Sequence, residues 1–263
     1  MQKSIISRKE AMSIINNPNY RKNDVLDLSS LEATEIATYA FSALNLQLSK
    51  LILPKGLQKI GDSAFMLNEI QEIVWNDEIQ EIGDSAFEHN LISKIELPKT
   101  IQKLSPLAFA MNQIKEVVIF KNIDEIGHDV FHGNPLEKLY FYTLNCQIDP
   151  YSFAGLEPKE IIVENDFDLQ IANENDKYSR INLDFYKDFD IYENEIELEI
   201  ANSLLVDILA SFSWINAEKI ILINPKVSAT KDLNLYVVKY EMQKNIQIFA
   251  RGSEKYQKFL KIN

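Results

Sequence analysis

The apolar residues of this chain recur at an interval that belongs to neither a single helix nor a single strand. Leu51-Ile52-Leu53 is followed by Ile73-Val74-Trp75, Ile95-Glu96-Leu97, Val117-Val118-Ile119, Leu139-Tyr140-Phe141 and Ile161-Ile162-Val163, each 22 residues after the last. Phe65, Phe87, Phe109, Phe131 and Phe153 keep the same step. A run this short cannot pair within its own repeat, so it must pair with the equivalent run of its neighbours. The expected result is a parallel sheet along a solenoid, one strand per turn. Period-two alternation turns the positions of Leu51 and Leu53 inward, together with Leu48, Ile60, Phe65 and their equivalents.

The polar and small residues keep the same phase. Ala64, Ala86 and Ala108 precede the phenylalanines, where a larger side chain would hold turns apart; Val130 and Ser152 are small replacements. Gly61, Gly83 and Gly127 recur at a turn, which suggests left-handed backbone there. Asn68, Asn90, Asn112 and Asn134 fall three residues after successive phenylalanines and are expected to tie loop amides and carbonyls from turn to turn. Charge alternates along two columns, Lys50, Glu72, Lys94, Glu116, Lys138, Glu160 and Lys59, Glu81, Lys103, Glu125. Stacked about 5 Å apart, these attract in the correct register and repel after a slip of one turn.

The phrase Ile-x-x-Ile-Gly-x-x-Ala-Phe followed by Asn, with Ile/Leu-x-Leu-Pro on the strand, resembles the BspA-like bacterial leucine-rich repeat family over about residues 25–163. The resemblance implies a curved parallel solenoid and a role in protein binding or adhesion, often at a bacterial or protist surface.

The ends depart from the period. Ser7-Arg8-Lys9-Glu10 has the form of a capping box, Ala11, Met12, Ile14 and Ile15 supply an apolar face, and Asn16-Asn17-Pro18 stops it; a helix over 7–16 is predicted to cover the first turn. The first step, from Phe41 to Phe65, is 24 residues. Beyond Val163 the pattern decays, although Asn182-Leu183-Asp184-Phe185 still arrives in phase. Strands are predicted over 195–200, 220–223 and 246–250, and helices over 202–212, 229–244 and 253–262. The fold class expected is α/β: a leucine-rich repeat solenoid with a parallel sheet on its concave face, a short N-terminal helical cap, and a C-terminal βαβαβα segment. That segment either continues the solenoid sheet as a cap or forms a small α/β unit. The corresponding domains are 1–24, 25–163 and 164–263.

Composition narrows the function. The 263 residues are 46% apolar, enough for a core, and the net charge of −12 offers no basic field for nucleic acid or an anionic membrane. Between residues 160 and 200, thirteen acids face three bases, the pattern of a solvated acidic surface. No run approaches a membrane-spanning length, and residues 1–17 lack the apolar core and cleavage site of a secretory signal. A cytoplasmic location follows if this is the full native chain, a surface or secreted one if a signal was removed.

The lone Cys146 stands in the column of Gln58, Gln80, Gln102 and Asp124, with no base spaced to activate it. His128 and His132 are four residues apart, but the repeat register assigns Phe131 between them to the core and supplies no third ligand. Near the expected strand ends of the C-terminal segment, Asn202, Ser203, Asn224 and Arg251 are scattered polar residues without a glycine-rich phosphate loop. No catalytic residue, metal or cofactor is assigned.

What folding does not require is the outward column of the strands: Ile52, Val74, Glu96, Val118, Tyr140 and Ile162, with Phe120 and Tyr142 two residues beyond the last positions of their turns' outward column. Five of the six column residues are apolar or aromatic, the mark of a partner surface on a solvent-facing sheet. The expected function is therefore a non-catalytic protein-binding, possibly adhesive, module whose partner is another protein. The alternative is an enzyme or small-ligand binder with its site in the C-terminal segment and the solenoid as a targeting arm.

Overall fold

The computed structural model describes residues 4–119, 123–142, 147–149, 151–153, 155–164, 169–171, 189–190, 198–200, 219–224, 233–239 and 242–250, the later strands by their backbone alone. The chain divides into two compact units, residues 1–136 with 145–156, and residues 137–144 with 157–263.

In the first unit the repeat builds two ladders. The back ladder joins Ile5–Ile6, Glu35–Ile36, Lys59–Ile60, Glu81–Ile82, Lys103–Leu104, Glu125–Ile126 and Gln147–Ile148, all parallel and in order along the chain. The front ladder joins Arg21–Lys22, antiparallel, to Val25–Asp27, which continues in parallel through Lys50–Ile52 to Ile73–Val74. Pairing follows the period, with Leu51 opposite Ile73 and Ile60 opposite Ile82. The expected front strand at Ile95-Glu96-Leu97 does not form: these residues lie outside any ladder, although Ile95 and Leu97 remain buried as the period requires. Glu116–Ile119 is again a strand.

Between the ladders the phenylalanines form a stack. Successive ring centroids from Phe41 through Phe65, Phe87 and Phe109 to Phe131 are 4.9, 5.3, 5.5 and 5.9 Å apart, with planes within 8° of parallel. Beside it runs the asparagine ladder. Asn90 Nδ2 donates to Phe87 O at 3.0 Å in its own turn and to Phe65 O at 2.9 Å in the turn before, while its Oδ1 accepts from Ile70 N at 2.9 Å. Asn68, Asn112 and Asn134 repeat the arrangement, and each of the four is buried. A buried amide with both ends engaged across two turns couples them and satisfies backbone groups at the bend.

The glycine column serves a purpose other than the one expected. Gly61, Gly83 and Gly127 are not left-handed; the positive φ angles lie at Tyr39, Ser63, Ser85, Leu107 and Asp129, and at Ala43, Leu67, His89, Met111, Gly133 and Gly155. At Gly61 an added Cβ would lie 2.6 Å from Thr38 N and 2.8 Å from Ile36 O. At Gly61 the glycine therefore answers to the close approach of the adjacent turn's backbone, whereas the same column holds Ser105 and Asp149 in other turns. The two extra residues of the first turn fall between Phe41 and Leu48, where Asn45 adopts a positive φ, and the Phe41–Phe65 stack is undisturbed.

The N-terminal cap matches the expectation closely. The helix Arg8–Ile14 starts at Ser7, whose Oγ accepts from Glu10 N at 3.3 Å while the Glu10 carboxylate accepts from Ser7 N at 2.7 Å; Ala11 and Ile14 are buried. Hydrogen bonds from Ser7 hold the Glu10 carboxyl below its ordinary pKa. Arg8 then completes the first turn. Elsewhere Phe41 N donates to Ala64 O and Ala43 N to Met66 O, so the equivalent carbonyls of the first turn, Ala40 O and Ser42 O, have no preceding turn to bond. Arg8 Nη1 donates to Ser42 O at 2.7 Å, Tyr39 O at 3.1 Å and Ala40 O at 3.3 Å.

In the second unit the strands Lys138–Tyr142 and Glu160–Glu164 pair in parallel, and Glu160–Glu164 pairs onward with Lys219–Asn224, which pairs with Met242–Ala250. The predicted helix over 229–244 is incorrect. Leu233–Lys239 is a strand antiparallel to Met242–Ala250, with Leu235 opposite Ile246 and Leu233 opposite Ile248. The alternation Leu233, Leu235, Val237 fits a strand as well as Leu233, Val237 fits a helix, and Tyr236-Val237-Val238 beside an available partner decides for the strand. Phe189–Asp190 adds to the far edge, and Leu169–Ile171 pairs separately with Leu198–Ile200. The predicted helices over 202–212 and 253–262, and the in-phase run 182–185, lie outside the described residues.

Candidate functional surface

On the front of the first unit the outward column is open in part. Ile52 and Val118 are half-buried, Val74 is 36% exposed and Glu96 is exposed. In the second unit the column is closed: Tyr140 is 2% exposed and Ile162 is fully buried, so these two do not present the solvent-facing surface expected of them. Their neighbours Leu139, Phe141 and Ile161 are buried as well, so both sides of these strands are covered. Phe120 and the side chain of Tyr142 lie outside the described residues.

Two residues of the inward column join the open face. Ile73 and Trp75 are half-buried where the corresponding Leu51, Leu53, Ile95 and Leu97 are buried. The Trp75 ring lies edge-on to Phe87, with centroids 5.8 Å apart, and to Phe109 of the next turn, at 6.3 Å. An indole in a column otherwise held by Leu53, Leu97, Ile119, Phe141 and Val163 was the available signal: its ring reaches into two turns.

Charged pairs border this face. Lys50 bonds Glu72 at 3.0 Å across turns, but Lys94 bonds Glu96 at 2.7 Å within its own turn, both side chains highly exposed. The Lys94 ammonium is held above its ordinary pKa first by that hydrogen bond and further by Glu116 and Glu72. On the back ladder Lys59 meets Glu81 and Lys103 meets Glu125, each at 2.8 Å, as the alternating columns require. The hydrogen bond to Glu81 likewise raises the Lys59 pKa. A further pair, Lys159 with Glu137 at 3.3 Å, belongs to a column whose alternation begins too late in the chain to read from the repeat.

The candidate histidines and polar residues of the chain lie apart from one another where they are described. His89 lies 3.7 Å from Glu88 and His132 lies 3.9 Å from Asp129; His128 and His132 are exposed on a turn, where no helix presents them together. Among the described residues no group of three or more His, Cys, Asp or Glu is placed to hold a metal ion. A groove of about 540 Å³ at the capped end is lined by Ile5, Ile14, Tyr20 and Leu31 with serines and Glu10 of the helix cap, but by no histidine or cysteine. Asn224 ends a strand; Cys146, Asn202, Ser203 and Arg251 lie outside the described residues.

A parallel coil with one phenylalanine, one bonded asparagine and one short strand per turn defines a leucine-rich repeat solenoid. Residues 34–158 match the BspA type leucine rich repeat region in six copies, and that segment is a BspA-type leucine-rich repeat array. No curated protein matches the chain. Leucine-rich repeats generally mediate protein interaction and are typically non-enzymatic binding modules. Among the described residues no helix is long and apolar enough to cross a membrane.

Proposed function

We propose that the chain is a non-catalytic protein-binding module of adhesive type that meets its partner through the front face of the first unit. The observation that supports this is Val74, an apolar residue left 36% exposed at the outward position of a strand, flanked in the same column by the accessible Ile52, Glu96 and Val118. In this reading residues 1–24 cap the array and the repeats present the surface. Half-exposed Trp75 contributes an aromatic anchor of the kind that concentrates binding energy.

Affinity capture with the whole chain from extracts of the source organism tests this, with the variant Val74→Ser/Val118→Ser run beside it. The variant is expected to lose at least tenfold of the captured partner while keeping its far-ultraviolet circular dichroism and a thermal midpoint within about 5 °C. Equal recovery of the same partner by both proteins overturns the assignment of the surface.

A further inference from the structure

The two ladders of the first unit differ at one turn. On the back, Lys103–Leu104 pairs with Glu81–Ile82 on one side and Glu125–Ile126 on the other without interruption. On the front, pairing stops at Ile73–Val74. Among the described residues, no backbone group of residues 94–97 bonds to residues 72–76 or to 116–119. The interruption is short: Leu91 N still donates to Ile70 O at 2.9 Å, Gln113 N to Ile92 O at 3.0 Å, and Gln102 N to Gln80 O at 2.9 Å. The segment is thus held at both ends in the position of a strand, with its ladder bonds unmade.

Three features hold it there. Trp75, in the inward column, sets its ring edge-on against Phe87 of its own turn and Phe109 of the next, so that one indole occupies the front side of two turns. Glu96 replaces the β-branched residue that Ile52, Val74 and Val118 provide in the same column, removing a residue type that favours pairing. Lys94 turns to Glu96 in its own segment where Lys50 bridges to the next turn. Beneath the gap, Ile73 and Trp75 are partly open to water although they point toward the core.

We propose that residues 93–97 are a strap poised to close onto the strand Ile73–Val74. The closed register is the one the period dictates, Ile73 opposite Ile95 and Val74 opposite Glu96, as Leu51 lies opposite Ile73. Closure adds ladder bonds from Ile73 N and Trp75 N to the carbonyls of residues 94 and 96. It covers Ile73 and the Trp75 ring, and moves Lys94 from Glu96 to a position between Glu72 and Glu116. The continuous back ladder is the hinge. The open and closed forms present different front faces, and this holds whether or not that face is where a partner binds.

Residue-resolved amide hydrogen exchange on the whole chain tests the strap without any ligand. The amides of Trp75 and Glu96 are expected to exchange at least 100-fold faster than those of Leu51 and Leu53, whose ladder bonds are 2.9 and 3.1 Å. Glu96→Val, a surface change that does not endanger folding, is expected to slow exchange at Trp75 and residue 96 at least tenfold, and Trp75→Leu to do the same at residues 75 and 96 by removing the indole that spans two turns. Protection at Trp75 and Glu96 equal to that at Leu51 and Leu53 in the unmodified protein overturns the proposal. So does an unchanged exchange rate at these amides in Glu96→Val.

Discussion

Gly61, Gly83 and Gly127 separate two demands that glycine meets, space and left-handed backbone. At Gly61 the atoms that a Cβ would strike are Thr38 N and Ile36 O, backbone that can yield only if the turns part. At Gly133 the φ is +71° and the atom struck is the Met111 Sδ, the far end of a flexible side chain. Gly61→Ala should therefore destabilise by about 3 kcal/mol through overpacking, and Gly133→Ala by about 1 kcal/mol through its left-handed backbone. Urea denaturation of the two variants checks the order; equal costs would mean that contact distance does not govern the column. Composition shows that these positions want glycine but not which demand applies, because the left-handed positions two residues on are held by Ser63, Ser85, Leu107 and Asp129. The asparagine column was readable because a side chain with two donors and an acceptor, repeated in phase, has few buried uses.

At the scale of elements, the end of the array shows what a turn supplies to its neighbour. Arg8 offers one guanidinium nitrogen to three carbonyls, two of them the acceptors that a preceding turn would have bonded. Arg8→Ala should cost about 1.5–2 kcal/mol, the lower part of the range for hydrogen bonds from a charged donor, since the residue is largely exposed. Its signature is local: amide exchange should rise over residues 5–14 and 36–43 and stay unchanged beyond Phe87. A uniform rise along the array would show that the cap is not a separable element. The capping box was legible in Ser7 and Glu10, whereas the carbonyl-binding role of Arg8 depends on the direction of ladder bonds that no single repeat displays. The strand Leu233–Lys239 was misread for a related reason: its apolar residues satisfy both periods, and only the antiparallel partner Met242–Ala250 distinguishes them.

For the whole array the 22-residue period was sufficient to read the core, since inward residues obey local geometry repeated turn after turn. It was insufficient for the surface, since whether Val74 or Ile162 is exposed depends on what other segments cover, which alternation cannot report. The same distinction predicts how the first unit unfolds. Boundaries between turns are joined by a ring contact, an asparagine bridge, the back ladder and, up to Ile73–Val74, a front ladder as well, and nearest-neighbour coupling of this kind decides whether the array melts as one body. The boundary after Ile73–Val74 lacks its front ladder, so the Phe87–Phe109 stack and the Asn112 bridge to Phe87 O carry more of the coupling there. Phe87→Ala removes one ring from contact with both neighbours and should cost about 4 kcal/mol, a typical loss for a buried phenylalanine. It should also lower the slope of free energy against urea concentration, because turns on either side of the weakened boundary no longer unfold together. Phe41→Ala, at an end of the stack, should lower the midpoint and leave the slope unchanged. Urea titrations of both variants by circular dichroism provide the check, and an unchanged slope in Phe87→Ala would show that the back ladder alone keeps the array cooperative.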